Sequence, residues 1–419
     1  MSKFRSSLRN NLRNALFFYE SRIAPLIAIY LGWIYWPFYK ILKARNVCFV
    51  INIAGGTGHI ICELDLFFRR LHQEKIDLQK KYIWIRKNDP FSSTCVRHYG
   101  KNFWYAKASY LLYELTLPLT IRYKDITLDC GLSGLQWQLA KGNKYIRPIA
   151  GQNYLNLIPL DELTKLWNEY FRLRKDTIGY DPLVVPDLNW KKLEPLVGSP
   201  YQKRVLVHLK EKKANATAAS TDPNTYLESL QYLHDKKYQF VFVGREAMPS
   251  QFRDFSMIPY SQSHLASFEH DIALFQNCSM ALIAGSGIAY LADCYRKPYL
   301  YINFWHIPTP VFSPMAITIP TLLQKRSGEF LSFQEQIDLF LTIAPDGTVR
   351  GMDEYVPRNA SGDEILLGFQ ELEKLIEKPA PPSSLQESMK RLRNEMPISF
   401  AASRFSQAFL EKHSDLMKE

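Results

Sequence analysis

Residues 281–303 read Ala-Leu-Ile-Ala-Gly-Ser-Gly-Ile-Ala-Tyr-Leu-Ala-Asp-Cys-Tyr-Arg-Lys-Pro-Tyr-Leu-Tyr-Ile-Asn. The apolar opening reads as a buried strand. Gly285-Ser286-Gly287 makes a tight turn, a short amphipathic helix follows, and Tyr-Leu-Tyr-Ile-Asn is a second strand. A strand, a helical crossover and a second strand in this order form a βαβ unit, which requires parallel pairing. The turn falls where a strand ends and a helix opens, a place where backbone N–H groups and the helix dipole favour a phosphate. Glycine lets a ligand approach the backbone, and Ser286 is placed to cap the helix or donate to an oxygen. The same pattern also fits a plain strand-to-helix turn.

The residues upstream repeat the arrangement. Arg204 to His208 is a short apolar strand, followed by a loop with Lys210, Lys212 and Lys213 and then helical spacing from Tyr226 to His234. Tyr238 to Val243 is the next strand and ends in Gly244-Arg245-Glu246. His208, Lys210, Arg245 and Gly285–Gly287 therefore all fall at or just past strand ends. In an open parallel sheet those ends share one edge, where ligands bind. The alternative is that Lys210 and Arg245 are solvated loop charges.

Val47 to Ile53 is another near-continuous apolar run, as expected of a central parallel strand. Gly55-Gly56-Thr57-Gly58-His59 follows it, and then apolar residues at Ile60, Ile61, Leu64, Phe67, Phe68 and Leu71 mark an amphipathic helix. His59 and Glu63 lie four apart beside that glycine loop. A histidine there suits a general base, with the carboxylate orienting it or holding a hydroxyl. Equally, Glu63 complements the helix dipole and His59 caps. Tyr82 to Arg86 reads as the next strand, and helical segments are expected near 91–99, 106–117 and 160–171. The proline-rich stretch 182–195 reads as a linker. A second proline cluster, 379–382, precedes a helical stretch from Leu385 to about His413.

At 419 residues with 47% hydrophobic content, the chain supports two domains with full cores. The six cysteines show no metal-like or redox spacing. Sparse, unpatterned cysteine suits a reducing cytoplasm. Much of the net charge of +11 lies at the N-terminus, in Lys3, Arg5, Arg9, Arg13 and Arg22. Next come 17 residues, Ile23 to Tyr39, without charge and rich in Trp and Tyr, closed by Lys40, Lys43 and Arg45. This basic-aromatic-basic pattern reads as an anchor lying on an anionic membrane surface. A buried helix packed on the protein and a spanning helix are the alternatives. Basic residues gathered beside an aromatic anchor argue against nucleic acid as a partner.

Two α/β halves, each with a glycine loop at a strand end, resemble a GT-B glycosyltransferase. The order of short motifs is similar to bacterial glycosyltransferases found among surface-polysaccharide genes. These motifs are Gly58-His59 with Glu63, Gln152-Asn153 through Leu157-Ile158-Pro159 leading to Asp161, His208-Leu209-Lys210-Glu211, Gly244-Arg245, Asp271-Ile272 and Ser286-Gly287. The resemblance covers roughly Val47 to Glu371 and implies two Rossmann-like domains facing a cleft, an acceptor-side domain over 47–190 and a nucleotide-sugar-binding domain over 191–378; the anchor over 1–46 precedes them and a helical extension over 379–419 follows. It implies transfer of a sugar from a nucleotide-sugar to a glycan or lipid-linked acceptor at the cytoplasmic membrane face, without metal or other cofactor. His59 and Glu63 would be catalytic. Gly56, Thr57, Gly58, His208, Lys210, Gly244, Arg245, Glu246, Asp271, Gly285, Ser286 and Gly287 would bind substrate. Lys210 departs from the family's arginine and offers a point charge in place of a fork. A nucleotide-sugar epimerase of the same architecture and a non-catalytic glycan- or nucleotide-binding protein are the rival readings.

Overall fold

The computed structural model describes residue 19 and residues 23–52, 57–73, 81–86, 103–105, 116, 118–119, 121–129, 172–177, 179, 188–210, 221–304, 313–341, 354–392 and 403–417. The chain divides into two compact units. The first holds Met1–Pro159, Leu173–Pro182 and Pro345–Gly347. The second holds Leu160–Arg172, Leu183–Ala344 and Thr348–Glu419.

The first unit begins with two short helices, α1 (Ala24–Tyr30) and α2 (Trp36–Ala44), joined through a 3₁₀ turn at Gly32–Tyr35. Pro25 and Pro37 each sit in the first turn of a helix, where the missing N–H leaves no bond unmade. The uncharged run is therefore broken in the middle. Among the described residues no helix is long and apolar enough to cross a membrane.

One side of this segment is core. Ala24 and Leu42 are buried with Val47, Phe49, Leu119 and Ile126, and Tyr35 and Tyr39 pack against the cluster. Tyr39 stacks on Tyr123 with ring centroids 4.2 Å apart, and its hydroxyl and the Lys43 ammonium both donate to Asp125 at 2.8 Å. The other side is open: Leu26, Ile29, Tyr30, Trp33, Trp36 and Ile41 are 53–70% exposed.

Four parallel strands follow, β1 (Val47–Asn52), β2 (Lys81–Arg86), β3 (Phe103–Tyr105) and β4 (Thr127–Asp129), in the order β3-β2-β1-β4. The expected central strand is indeed flanked on both sides. Helix α3 (Thr57–Gln73) crosses from β1 to β2 and buries Ile61, Phe67, Phe68 and Leu71. Its periodicity was readable. Its buried ion pair was not: Arg69 Nε donates to both oxygens of Asp65 at 3.0 Å, one helical turn away, and Nη1 donates to Thr177.

The second unit carries a six-stranded sheet. Its strands are β5 (Arg204–His208), β6 (Gln239–Val243), β7 (Met280–Ala284), β8 (Tyr299–Phe304), β9 (Ala316–Pro320) and β12 (Arg404–Phe405). All pair in parallel in the order β12-β9-β8-β7-β5-β6. A separate antiparallel pair joins β10 (Leu322–Lys325) and β11 (Tyr355–Arg358). The helices are α4 (Leu188–Val197), α5 (Leu227–Asp235), α6 (Phe268–Gln276), α7 (Ala289–Cys294), α8 (Phe333–Leu341), α9 (Gly362–Glu377), α10 (Ser384–Arg391) and α11 (Gln407–Lys412).

Two sequence expectations change. The stretch 182–195 reads as a linker in the sequence, yet α4 begins at Leu188 and carries Pro195 inside it. Trp190, Leu193 and Val197 are buried, so apolar spacing outweighs a proline near the helix end. The continuous helical stretch from Leu385 to His413 is broken. Within it, α10 and α11 are separate, and Arg404–Phe405 pairs with β9 at the sheet edge. Residues 91–99 and 160–171 lie outside the described residues, as does 106–117 apart from residue 116.

Candidate functional site

The strand order of the second unit places a topological switch between β5 and β7. From β5 the chain moves outward to β6, then returns to β5's other side as β7 and continues through β8 to β9. The connections leaving β5 and β7 run to opposite sides there, the position where open α/β sheets bind ligands. His208 ends β5, Gly285 follows β7, and Gly244-Arg245-Glu246 follows β6.

Several expected site residues meet at this edge. Lys210 Nζ donates to the Gly285 carbonyl at 3.1 Å, spanning the switch point. His208 Nε2 lies 3.9 Å from Glu246 Oε2, close but beyond hydrogen-bond distance. Glu246 turns its carboxylate onto the Arg245 backbone N–H at 3.1 Å. Arg245 is exposed. Gly244 has φ +110°, and a Cβ there would stand 2.8 Å from His208 Cδ2, so both the backbone and the imidazole require glycine.

His208 is 3% exposed, and burial pushes its imidazole down to about 4. The Glu246 carboxylate opposes that shift and the Lys210 charge adds to it. The ring is therefore neutral near pH 7, and its buried Nδ1 has no hydrogen-bond partner among the described residues. Asp271, in the first turn of α6, is pushed by burial up to about 7, with the Tyr260 hydroxyl and the Arg245 charge pulling it back.

Within the glycine turn after β7, Gly285 is required by the fold itself. A Cβ at Gly285 would meet the Asn303 carbonyl oxygen at 2.6 Å and Phe304 Cα at 3.1 Å. The close approach demanding glycine is thus to the end of β8. Ser286 does not cap the helix: the cap position of α7 is Ile288, which makes no side-chain cap bond. A Ser286 backbone hydrogen bond instead serves the buried Tyr301 hydroxyl.

Sequence reasoning missed the supports behind this edge. Tyr226, fully buried, donates its hydroxyl to the His208 carbonyl at 3.2 Å. Thr221 N–H donates to the Lys210 carbonyl at 3.1 Å. Asn303, buried with φ +55°, donates to Thr221 Oγ1 and accepts from the Ala360 amide at 2.8 Å. Asn303 was legible only as a strand terminus; asparagine tolerates the left-handed region, a weak signal for a turn at that end.

The expected acceptor-side residues belong to the first unit. Thr57, Gly58, His59 and Glu63 fall in the first two turns of α3, with side chains outside the described residues, and Gly56 lies outside them altogether. Gly287 follows Ser286 in the turn and is half-buried.

No protein family matches the chain, and no curated protein sequence does. Solved structures do. E. coli ADP-heptose lps heptosyltransferase II is 12% identical over 79% of this chain and 99% of its own, at a TM-score of 0.43. A glycosyl transferase family 9 protein from Veillonella parvula is 11% identical over 79% of this chain and 97% of its own, at 0.42. The E. coli heptosyltransferase WaaC with ADP is 11% identical over 80% and 99%, at 0.38. Likenesses this distant assign neither fold nor activity.

Proposed function

We propose that this protein transfers a sugar from a nucleotide-sugar to a glycan or lipid-linked acceptor, with the donor held by the second unit. One observation carries the reading: the Lys210 ammonium bridges to the Gly285 carbonyl across the β5/β7 switch point. A cation held at that place, with Arg245 at the neighbouring strand end, suits a diphosphate. Stabilising the departing nucleoside diphosphate is electrostatic work that two side-chain cations perform without a metal. Glu246 supplies a carboxylate for a ribose or sugar hydroxyl. His208, neutral and buried, offers an uncharged nitrogen where a second cation would be costly to bury. In this reading His59 is the general base toward the acceptor, Glu63 orients it, and the reaction runs at the cytoplasmic membrane face.

A non-catalytic nucleotide-binding protein is the second reading. It draws on the same contact, because Lys210 is directed to the chain's own carbonyl and lacks the fork of an arginine.

Calorimetry against a panel of UDP-, ADP-, GDP-, CMP- and dTDP-sugars tests the donor site. Lys210→Ala and Arg245→Ala should each weaken binding of the accepted donor by about 1–3 kcal/mol. EDTA should leave binding unchanged. Unaltered affinity in both variants removes the donor from this edge. Binding without turnover on any acceptor, and without loss in His59→Ala, favours the binding protein.

A further inference from the structure

Ten of the fourteen large hydrophobic side chains exposed among the described residues fall within residues 23–41. The other four, Tyr201, Val356, Leu367 and Ile376, are scattered over the second unit. The concentrated set runs through α1, the Gly32–Tyr35 turn and α2, where Ala24, Ala28 and Leu42 are buried and these larger side chains are left exposed. Exposed apolar side chains concentrated in one segment mark an interaction surface.

Its composition and rim say what covers it. Trp33 and Tyr30 are 69% and 70% exposed, the residue types that settle at the headgroup level of a bilayer. Lys40 lies over the Trp36 ring at 5.2 Å. Arg45 is exposed, and Arg122 runs against Gly32 between the two helices. No carboxylate occurs in residues 23–45, and the nearby Asp125 is matched by Lys43 at 2.8 Å. A second copy docked on this face would bring its one-signed rim toward itself; an anionic lipid surface complements it.

We infer that α1 and α2 form an interfacial docking face that lies in the headgroup region of an anionic bilayer, apolar side down, without crossing it. Breaking the run at Leu31 and Gly32 is what makes this possible. Two helices of seven and nine residues, each with large apolar side chains exposed, suit a surface position, where a single spanning helix would need about 20 residues. The inference names the surface by which the chain would meet the membrane of the proposed reaction, and it does not depend on the sugar-transfer chemistry.

Flotation of the full chain on vesicles tests it. Vesicles of phosphatidylcholine mixed with phosphatidylglycerol should carry the protein upward, and pure phosphatidylcholine should carry it weakly. Ile29→Glu and Trp33→Glu should each lower partitioning about tenfold or more, because each removes a large apolar contact with the bilayer. Lys40→Gln and Arg45→Gln should each lower it about fivefold on the mixed vesicles only. Trp33→Leu should keep most of the binding. All these side chains are exposed, so melting temperatures should not move, which separates lost docking from lost folding. Absence of flotation on mixed vesicles overturns the inference, as does undiminished flotation of Ile29→Glu. A dimer seen by sedimentation and abolished by Ile29→Glu, without flotation, assigns the face to a second copy and overturns it too. Donor calorimetry fails or succeeds separately from these readouts.

Discussion

The two ends of the chain read alike in the sequence, as extensions beyond the α/β core, and the structure treats them differently. The C-terminal end is laced into the second unit through polar groups. Glu371 of α9 accepts from Ser406 Oγ and from the Gln407 and Ala408 amides at the start of α11. Glu364, 1% exposed, receives Arg358 at 3.0 Å, His413 at 2.8 Å and Lys412 at 3.2 Å. Gln386 Nε2 donates to the Phe405 carbonyl at 2.6 Å, beside the strand that extends the sheet. Residues 23–45 are attached on one side, through Ala24, Leu42, Tyr35 and Tyr39 and the Asp125 contacts, and they leave large apolar side chains in water on the other. The lesson is physical. An end whose buried polar atoms are matched within its own unit is a finished part of the fold. An end that exposes large apolar side chains in one segment is finished only by what lies against it.

The largest effect should come from breaking the C-terminal lock. Glu364→Gln leaves Arg358, Lys412 and His413 facing a neutral group and should cost about 3 kcal/mol, the low end for a buried ion pair losing one partner because Arg358 and Lys412 reach solvent. Urea unfolding checks this; a loss below about 1 kcal/mol would make the two ends equivalent in kind.

The same carboxylate should give the lock an acid limit. Burial alone would raise its pKa, but hydrogen bonds from His413, the Ser361 amide and Arg358 hold it well below the ordinary 4.5. A depressed folded-state value means the native state binds fewer protons than the unfolded one. The stabilisation is then fully present above about pH 4.5 and is lost as pH falls toward the folded value. Unfolding curves from pH 6 down to pH 3 should show this slope in the parent chain and a shallower one in Glu364→Gln. Equal slopes would place the acid sensitivity elsewhere.

At the N-terminal end, Leu42→Ala should cost about 2–3 kcal/mol, since Leu42 is 7% exposed and touches the cluster around Phe49. Truncation at residue 45 should therefore destabilise the first unit and not merely detach an appendage. Circular dichroism melts of both variants read it out. An unchanged melt would mean that α1 and α2 sit loosely on the unit.

The smallest effect sharpens the contrast most. Ile29→Ser and Trp33→Ser should change unfolding free energy by no more than about 0.5 kcal/mol, as surface substitutions do. A cost near that of Leu42→Ala would show that the outward face already has a partner within the chain.

Much of the fold was legible because a central parallel strand is buried on both faces and reads as an unbroken apolar run. That is true of Val205–Val207, Phe240–Val243 and Ala281–Ala284, all buried. Apart from β9, whose five buried residues lie inside the sheet, the strands that escaped are short or peripheral. β3 and β4 have three residues each and β12 has two, too few for a pattern to emerge from composition. β10 and β11 form a separate two-stranded sheet among the described residues. The candidate edge was legible for the same reason as the strands, since loops at strand ends follow from strand positions. Its supports were not. Tyr226 reaches His208, and Asn303 reaches Thr221 and Ala360, across separations of 18, 82 and 57 residues that no local spacing encodes.

The sequence by itself determined where polypeptide is apolar, where it turns, and hence that β5, β6, β7 and β8 are parallel strands with His208, Lys210, Arg245 and Gly285 at their ends. It also determined that residues 23–45 hold aromatic and basic residues without a carboxylate. Only the tertiary structure decided the strand order, and with it that β5 and β7 adjoin at a switch point bridged by Lys210. It alone decided which side of α1 and α2 is core and which is left open. Local chemistry is written residue by residue, whereas adjacency and burial depend on which distant segments compete for the same surface. That competition is resolved only when the whole unit packs.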